Sequence, residues 1–134
     1  ENLTMTNPYT ISLDIRNSPS NGQDGFTNTT TSDGQTYCYK WSGGTDGKGG
    51  VQESRAAGVA QINVSLIADA RYHIVAGSFS GGDTQFTFTK TGDRSAVVSD
   101  AGTAAEQDYF NVQVSDTSRA NCTFWCDPRV GNRD

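Results

Sequence analysis

The sequence predicts an all-β fold, a single antiparallel β-sandwich of about seven to eight strands. Three observations lead there. Apolar and polar residues alternate in short runs, the period of a half-buried strand. Gly, Asn and Asp cluster between those runs at turn spacing. Leu and Met are scarce while Thr, Val, Ser and Gly are abundant, which disfavours helices.

The strands follow in order. Tyr9, Ile11, Leu13 and Ile15 alternate with Thr10, Ser12, Asp14 and Arg16 and predict the first. Residues 17–32 read as a polar, turn-rich connection, with Asn21-Gly22 and Asp24-Gly25 tolerating positive φ. Asp33-Gly34 leads into a second strand over residues 36–41. Five glycines between 43 and 50 then predict a flexible loop with little apolar surface. The third strand covers residues 59–68, with Ile62, Val64 and Leu66 on one face and Asn63 and Ser65 on the other.

After the short Asp69-Ala70 turn comes a strand over 72–79. Gly81-Gly82-Asp83 then makes a hairpin-type turn into Phe86 and Phe88. Thr91-Gly92-Asp93 turns into Ala96-Val97-Val98, and Phe110, Val112 and Val114 define the next strand. Cys122, Phe124 and Cys126 mark the last, which ends at Asp127-Pro128 because proline cannot donate to a ladder. Turn signals every 8 to 15 residues suit a sandwich of Ig-like size.

All 134 residues read as one domain, since a second would be too small to hold its own core. Leu, Ile, Val and Phe make up only 23 residues, a fraction seen in disordered chains. The net charge of −5 is too low for that class, and disorder gives no reason for periodic placement. No apolar span of membrane length and no signal or transit peptide is recognisable, so the chain reads as soluble. Fifteen carboxylates against ten basic groups make a poor phosphate binder, so nucleic acid is not an expected partner.

Cys122 and Cys126 lie four residues apart on one strand face, about 13 Å if extended. That is too far for a disulfide. A bond therefore pairs Cys38 with one of them, Cys126 being the chosen partner, unless all three are buried thiols. Such a bridge closes a loop worth roughly 4 kcal/mol and implies a secreted or cell-surface protein. Four sequons, at Asn2, Asn28, Asn63 and Asn121, add to that expectation as glycosylation sites.

Catalysis finds little support. His73 is the only histidine, no Gly-x-Ser-x-Gly elbow occurs, and Glu is confined to positions 1, 53 and 106. His73 reads as structural. The cysteines lack paired zinc spacings, and the Asp-rich turns lack the closing Glu of a calcium loop, so no metal and no cofactor is expected.

One constellation stands out: Tyr37, Tyr39 and Trp41 share a face of the second strand, with Cys38 and Lys40 opposite. If Cys38 forms the bridge, its face is the core and the aromatic stripe lies outside, joined there by Trp125. If not, the stripe is the core. An exposed stripe suits stacking on sugar rings, with Asp46 and other groups of the Gly-rich loops holding hydroxyls.

The C-terminal run Asp108-Tyr-Phe-Asn-Val-Gln-Val-Ser-Asp116, with Cys126-Asp-Pro-Arg-Val-Gly-Asn132, resembles the end of small bacterial β-sandwich proteins. These are the crystalline inclusion-body proteins and their "DP" relatives, whose last strand enters an Asp-Pro-x-hydrophobic-x-Asn tail. The likeness covers about 25 residues, and the N-terminal half has no counterpart. It implies a sandwich that self-associates or binds glycans, with no catalytic residues to carry over. The sequence thus reads as a non-enzymatic, lectin-like protein. A self-assembling subunit of a filament or inclusion is the alternative. An enzyme inhibitor presenting the loop over residues 42–50 is a third.

Overall fold

The computed structural model describes residues 8–44, 47–48, 60–80, 86–100 and 109–127. Nine strands are described: β1 Pro8–Arg16, β2 Thr27–Thr30, β3 Thr36–Gly43, β4 Ala60–Leu66, β5 Tyr72–Ser80, β6 Phe86–Gly92, β7 Ser95–Asp100, β8 Tyr109–Asp116 and β9 Thr123–Cys126. They form a six-stranded sheet in the order β2-β3-β1-β4-β7-β6 and a three-stranded sheet in the order β5-β8-β9. The all-β sandwich is as the alternation predicts. Two details differ: β1 and β4 pair in parallel, Ile11 opposite Val64, and β2 arises inside the stretch expected to be all turn. Thr27-Asn-Thr-Thr has no apolar alternation to reveal it; threonine's β-branch and the waiting edge of β3 recruit it.

The core lies between the sheets. Ile11, Leu13 and Ile15 of β1, Ile62, Val64 and Leu66 of β4, and Ala96 and Val98 of β7 point inward from the large sheet. Ile74 of β5, Val112 and Val114 of β8 and Phe124 of β9 meet them from the small one. Strands β1, β4, β7, β8 and β9 bury alternate residues, which is why the period-2 reading recovers this core.

The two sheets also touch along both lateral edges. On one side Ser32 N donates to Thr123 O (2.8 Å), and Thr29 Oγ1 donates to Trp125 O (3.0 Å), so β2 and the turn after it cover the outer edge of β9. On the other, Ile74 N donates to Asp93 O (2.7 Å). The guanidinium of Arg94 reaches the carbonyls of Asp69, Tyr72, Leu66 and Ala68. Gly77 permits this approach: a Cβ there would enter the ring of Phe88 on β6. Among the described residues, these contacts cover part of both lateral edges of the sandwich.

Candidate functional site

The aromatic stripe on β3 belongs to the core, correcting the outward-facing alternative. Tyr37, Tyr39 and Trp41 are 2%, 7% and 5% exposed and pack between the sheets. Cys38 points away from them, yet it too is fully buried. The segment 17–26 folds back over that outer face and sets Phe26 beside it. Arg16 lies over the Phe26 ring at 3.8 Å from its centroid, a cation–π contact, and Asp24 Oδ2 accepts from Arg16 Nη1 at 2.7 Å. On the outer face of β3 Cys38 is thus buried although Thr36 and Lys40, on the same face, stay exposed, so burial of Cys38 does not mark that face as the core.

The Cys38–Cys126 disulfide is likewise corrected. Cys38, Cys122 and Cys126 are all free and buried. Cys122 and Cys126 belong to the core between the sheets, whereas Cys38 lies on the far side of β3. Burial pushes the thiols of Cys38 and Cys126 above their ordinary values, so both resist ionisation.

At one end of β3 the site chemistry is saturated. Asp116, 1% exposed, accepts from Arg71 Nε (3.0 Å) and Nη2 (2.8 Å), from Tyr37 Oη (2.6 Å), and from Ser118 N (3.0 Å) and Oγ (2.6 Å). Burial alone would raise this carboxyl. The hydrogen bonds from Arg71, Ser118 and Tyr37 overcome that and hold it well below the carboxylate range. Tyr37 Oη in turn accepts from Arg119 Nη1 at 3.0 Å, and Arg119 pairs with Asp33. Every oxygen of Asp116 is spoken for, so the cluster locks turns together and offers no free group for chemistry.

At the other end β3 runs past the start of β2, and a cleft of about 490 Å³ opens. Phe26, Tyr39 and Trp41 supply its apolar lining, Lys40, Lys48 and Asp127 its charges, and Gly22, Gly25 and Gly47 part of its mouth. Tyr39 Oη donates to Asp127 O at 3.3 Å, and Lys40 Nζ donates to Asp24 O at 3.4 Å. Burial raises the carboxyl of Asp127. Asp46, expected here as a ligand-holding group, lies outside the described residues.

Trp125 differs from the stripe. It is 42% exposed on the outer face of β9, as the sequence reading with an outward Trp125 requires, although no disulfide puts it there. Gln113 of β8 stands beside it, and Ala76 of β5 stands beside Gln113. A bulge between Ile74 and Ala76 adds Val75, 42% exposed, to the same row. Ser78 and Asn111, then His73, Ser115 and Thr123, form the flanking rows. His73 Nδ1 is 3.9 Å from Asp93 Oδ2 at the sheet's edge. Among the described residues this face carries no Lys, Arg, Asp or Glu, in a chain with 25 of them. Sequence reasoning named Trp125 but missed the face, because its members come from three strands.

Of the sequons, Asn2 lies outside the described residues. Asn28 is exposed but holds Ser20 through two hydrogen bonds; Asn63 faces outward on β4 and accepts from Gln61 Nε2 (3.0 Å). Asn121 sits in the turn before β9 at φ 56° and not on a strand face. Asp24 and Asp33 cap their own turns: Asp24 accepts from Phe26 N (3.1 Å) and Asp33 from Thr31 Oγ1 (2.5 Å). Compared with known proteins, the sequence matches no family model and no curated protein.

Proposed function

We propose that the protein is a non-enzymatic carbohydrate-binding protein and that the outer face of β5-β8-β9 is its binding surface. The observation that carries this reading is the half-exposed Trp125 on a face whose described strand residues include amides and hydroxyls and no Lys, Arg, Asp or Glu. An indole ring offers a flat apolar surface to the C–H face of a sugar. Asn111, Gln113 and Ser115 supply donors and acceptors about 7 Å apart along one face of β8. The lack of formal charge favours neutral polyols over phosphates or acidic peptides. An exposed large apolar side chain within a polar rim is also what marks interaction sites in general.

Self-association by strand-edge pairing has less to work with, because β2 and its following turn already occupy the edge of β9. The inhibitor reading turns on residues 42–50, of which 45, 46, 49 and 50 lie outside the described residues. Secretion or a cell-surface location stays part of the proposal on its sequons alone, the disulfide argument having gone.

A glycan array with wild type and Trp125→Ala tests the reading. Binding to neutral glycans is expected for wild type and a loss of at least about tenfold for the variant, from the removal of a buried aromatic contact. The variant's stability is expected to stay within about 0.5 kcal/mol, since Trp125 is a surface residue. No neutral glycan bound by wild type, or equal binding by both, overturns it.

A further inference from the structure

We propose that the outer face of β5-β8-β9 holds consecutive rings of one linear oligosaccharide running across the strands, and that Val75 is its second apolar contact. This rests on the carbohydrate reading and deepens it by naming the ligand class: unbranched chains of neutral hexoses with equatorial hydroxyls and equatorial linkages.

Among the described residues the exposed large apolar side chains are Ile67, Val75 and Trp125. Two of them share this face, on the first and last strands of the small sheet. Trp125 of β9 stands opposite Gln113 of β8, and Gln113 stands opposite Ala76 of β5. The bulge sets Val75 and Ala76 together against Gln113, so two small apolar side chains face outward where a regular ladder would give one. Val75 thus lies two strand spacings from Trp125, roughly 10 Å.

This central row reads apolar, amide, apolar. Polar rows flank it at about 7 Å along the strands. Ser78 and Asn111 form one, and His73, Ser115 and Thr123 form the other. A pyranose ring with equatorial hydroxyls has the matching layout, with C–H groups on its faces and hydroxyls at its edges. Ring faces rest on Trp125 and Val75, a middle ring covers Gln113, and edge hydroxyls reach the flanking rows. Equatorial linkages keep successive rings nearly coplanar and advance the chain by roughly one strand spacing per ring. An axial hydroxyl would stand on the C–H face and lift the ring off the row.

The strip ends where the small sheet meets the large one. Thr29 Oγ1 and Ser32 N hold the carbonyls of Trp125 and Thr123 at the β9 edge, and Asp93 O takes the Ile74 N–H at the β5 edge. Three strands therefore accommodate three rings, and a fourth gains little.

The test is titration calorimetry with methyl β-glucoside and with equatorially linked glucose oligomers of two, three and four rings. For wild type, affinity is expected to rise by at least about tenfold from one ring to three, as apolar contact is added, and by less than about twofold from three to four. The α-linked oligomers of the same rings, bent by their axial linkages, are expected to lack that rise. Val75→Ser weakens the three-ring ligand by about fivefold, the worth of partly burying one aliphatic side chain, and leaves the single ring unaffected. Val75→Ile restores it. Trp125→Ala weakens every length. A three-ring ligand bound no better than one ring, an equal rise in the α-linked series, or a rise unchanged in Val75→Ser overturns this inference while the carbohydrate reading stands. Binding of no saccharide in either series, with no neutral glycan bound on the array, sinks both.

Discussion

Tyr37 and Trp41 leave the same face of β3 four residues apart and end in opposite surroundings. Tyr37 closes a saturated polar cluster, in which Asp116, Arg71, Arg119 and Asp33 tie three turns together. Trp41 backs onto a cleft whose charged groups, Lys40, Lys48 and Asp127, come from three separate segments. Both rings are buried, so burial alone does not separate them. What separates them is that the groups around Tyr37 converge on one buried carboxylate, Asp116, whereas those beside Trp41 line a cleft. One end of β3 is thus closed by a hydrogen-bonded cluster, and the other borders a cleft.

The largest expected effect breaks the closed end. Asp116→Ala leaves Arg71 and Tyr37 without their shared acceptor, at a cost of about 4 kcal/mol, the usual penalty for removing one partner of a buried pair. Urea unfolding measures it; a loss below about 1 kcal/mol would mean the cluster is no lock. Trp41→Ala at the open end is expected to cost about 3 kcal/mol, the low side for a core aromatic, because the cleft already removes some of its packing partners. Equal losses at both positions would erase the contrast drawn between the ends.

Smaller effects come from titration, which again singles out the closed end. The carboxyl of Asp116 is lower in the folded chain than in the unfolded one. Its contribution is therefore present above about pH 4 and fades as pH falls through the folded value, and Asp116→Asn lacks that acid ramp. Tyr72 packs against Tyr37 with ring centroids 6.5 Å apart, and burial, outweighing the nearby Arg71, pushes its phenol up to about 12 from 10.0. Its contribution is complete below pH 10 and is lost between there and about pH 12, where the unfolded phenol ionises first. Urea midpoints across pH measure both ramps, and a flat alkaline limb would contradict the second.

The smallest effect on stability tests the cysteines. Iodoacetamide is expected to label none of the three in the native protein and all three in urea, read by intact mass. A single labelled thiol in urea would restore the bridge and reopen the question of compartment. The burial of Cys38 makes a related point: it is buried on the opposite face of β3 from the stripe, so the orientation of the stripe never depended on a disulfide.

Much of the fold was legible from alternation. Ile11, Leu13 and Ile15, or Ile62, Val64 and Leu66, announce their inward faces because a pleated strand sends every second side chain to the same side. β2 was illegible because Thr27-Asn-Thr-Thr has no apolar period, and the edge of β3 that recruits it is a tertiary fact. For the candidate surfaces, Trp125 was legible as a single residue only. Its companions Gln113 and Ala76 stand next to it through strand pairing, which local sequence does not encode.

The sequence by itself determined the all-β class, eight of the nine strands, and the inward set of each core strand, because these rest on local periodicity and turn chemistry. Tertiary structure alone decided that Cys38 is buried on the outer side of β3, that the cysteines stay apart, and that Trp125 stands beside Gln113 and Ala76 on the small sheet. Those outcomes depend on which distant segments are brought side by side, and a residue's environment is set by such neighbours as much as by its own strand.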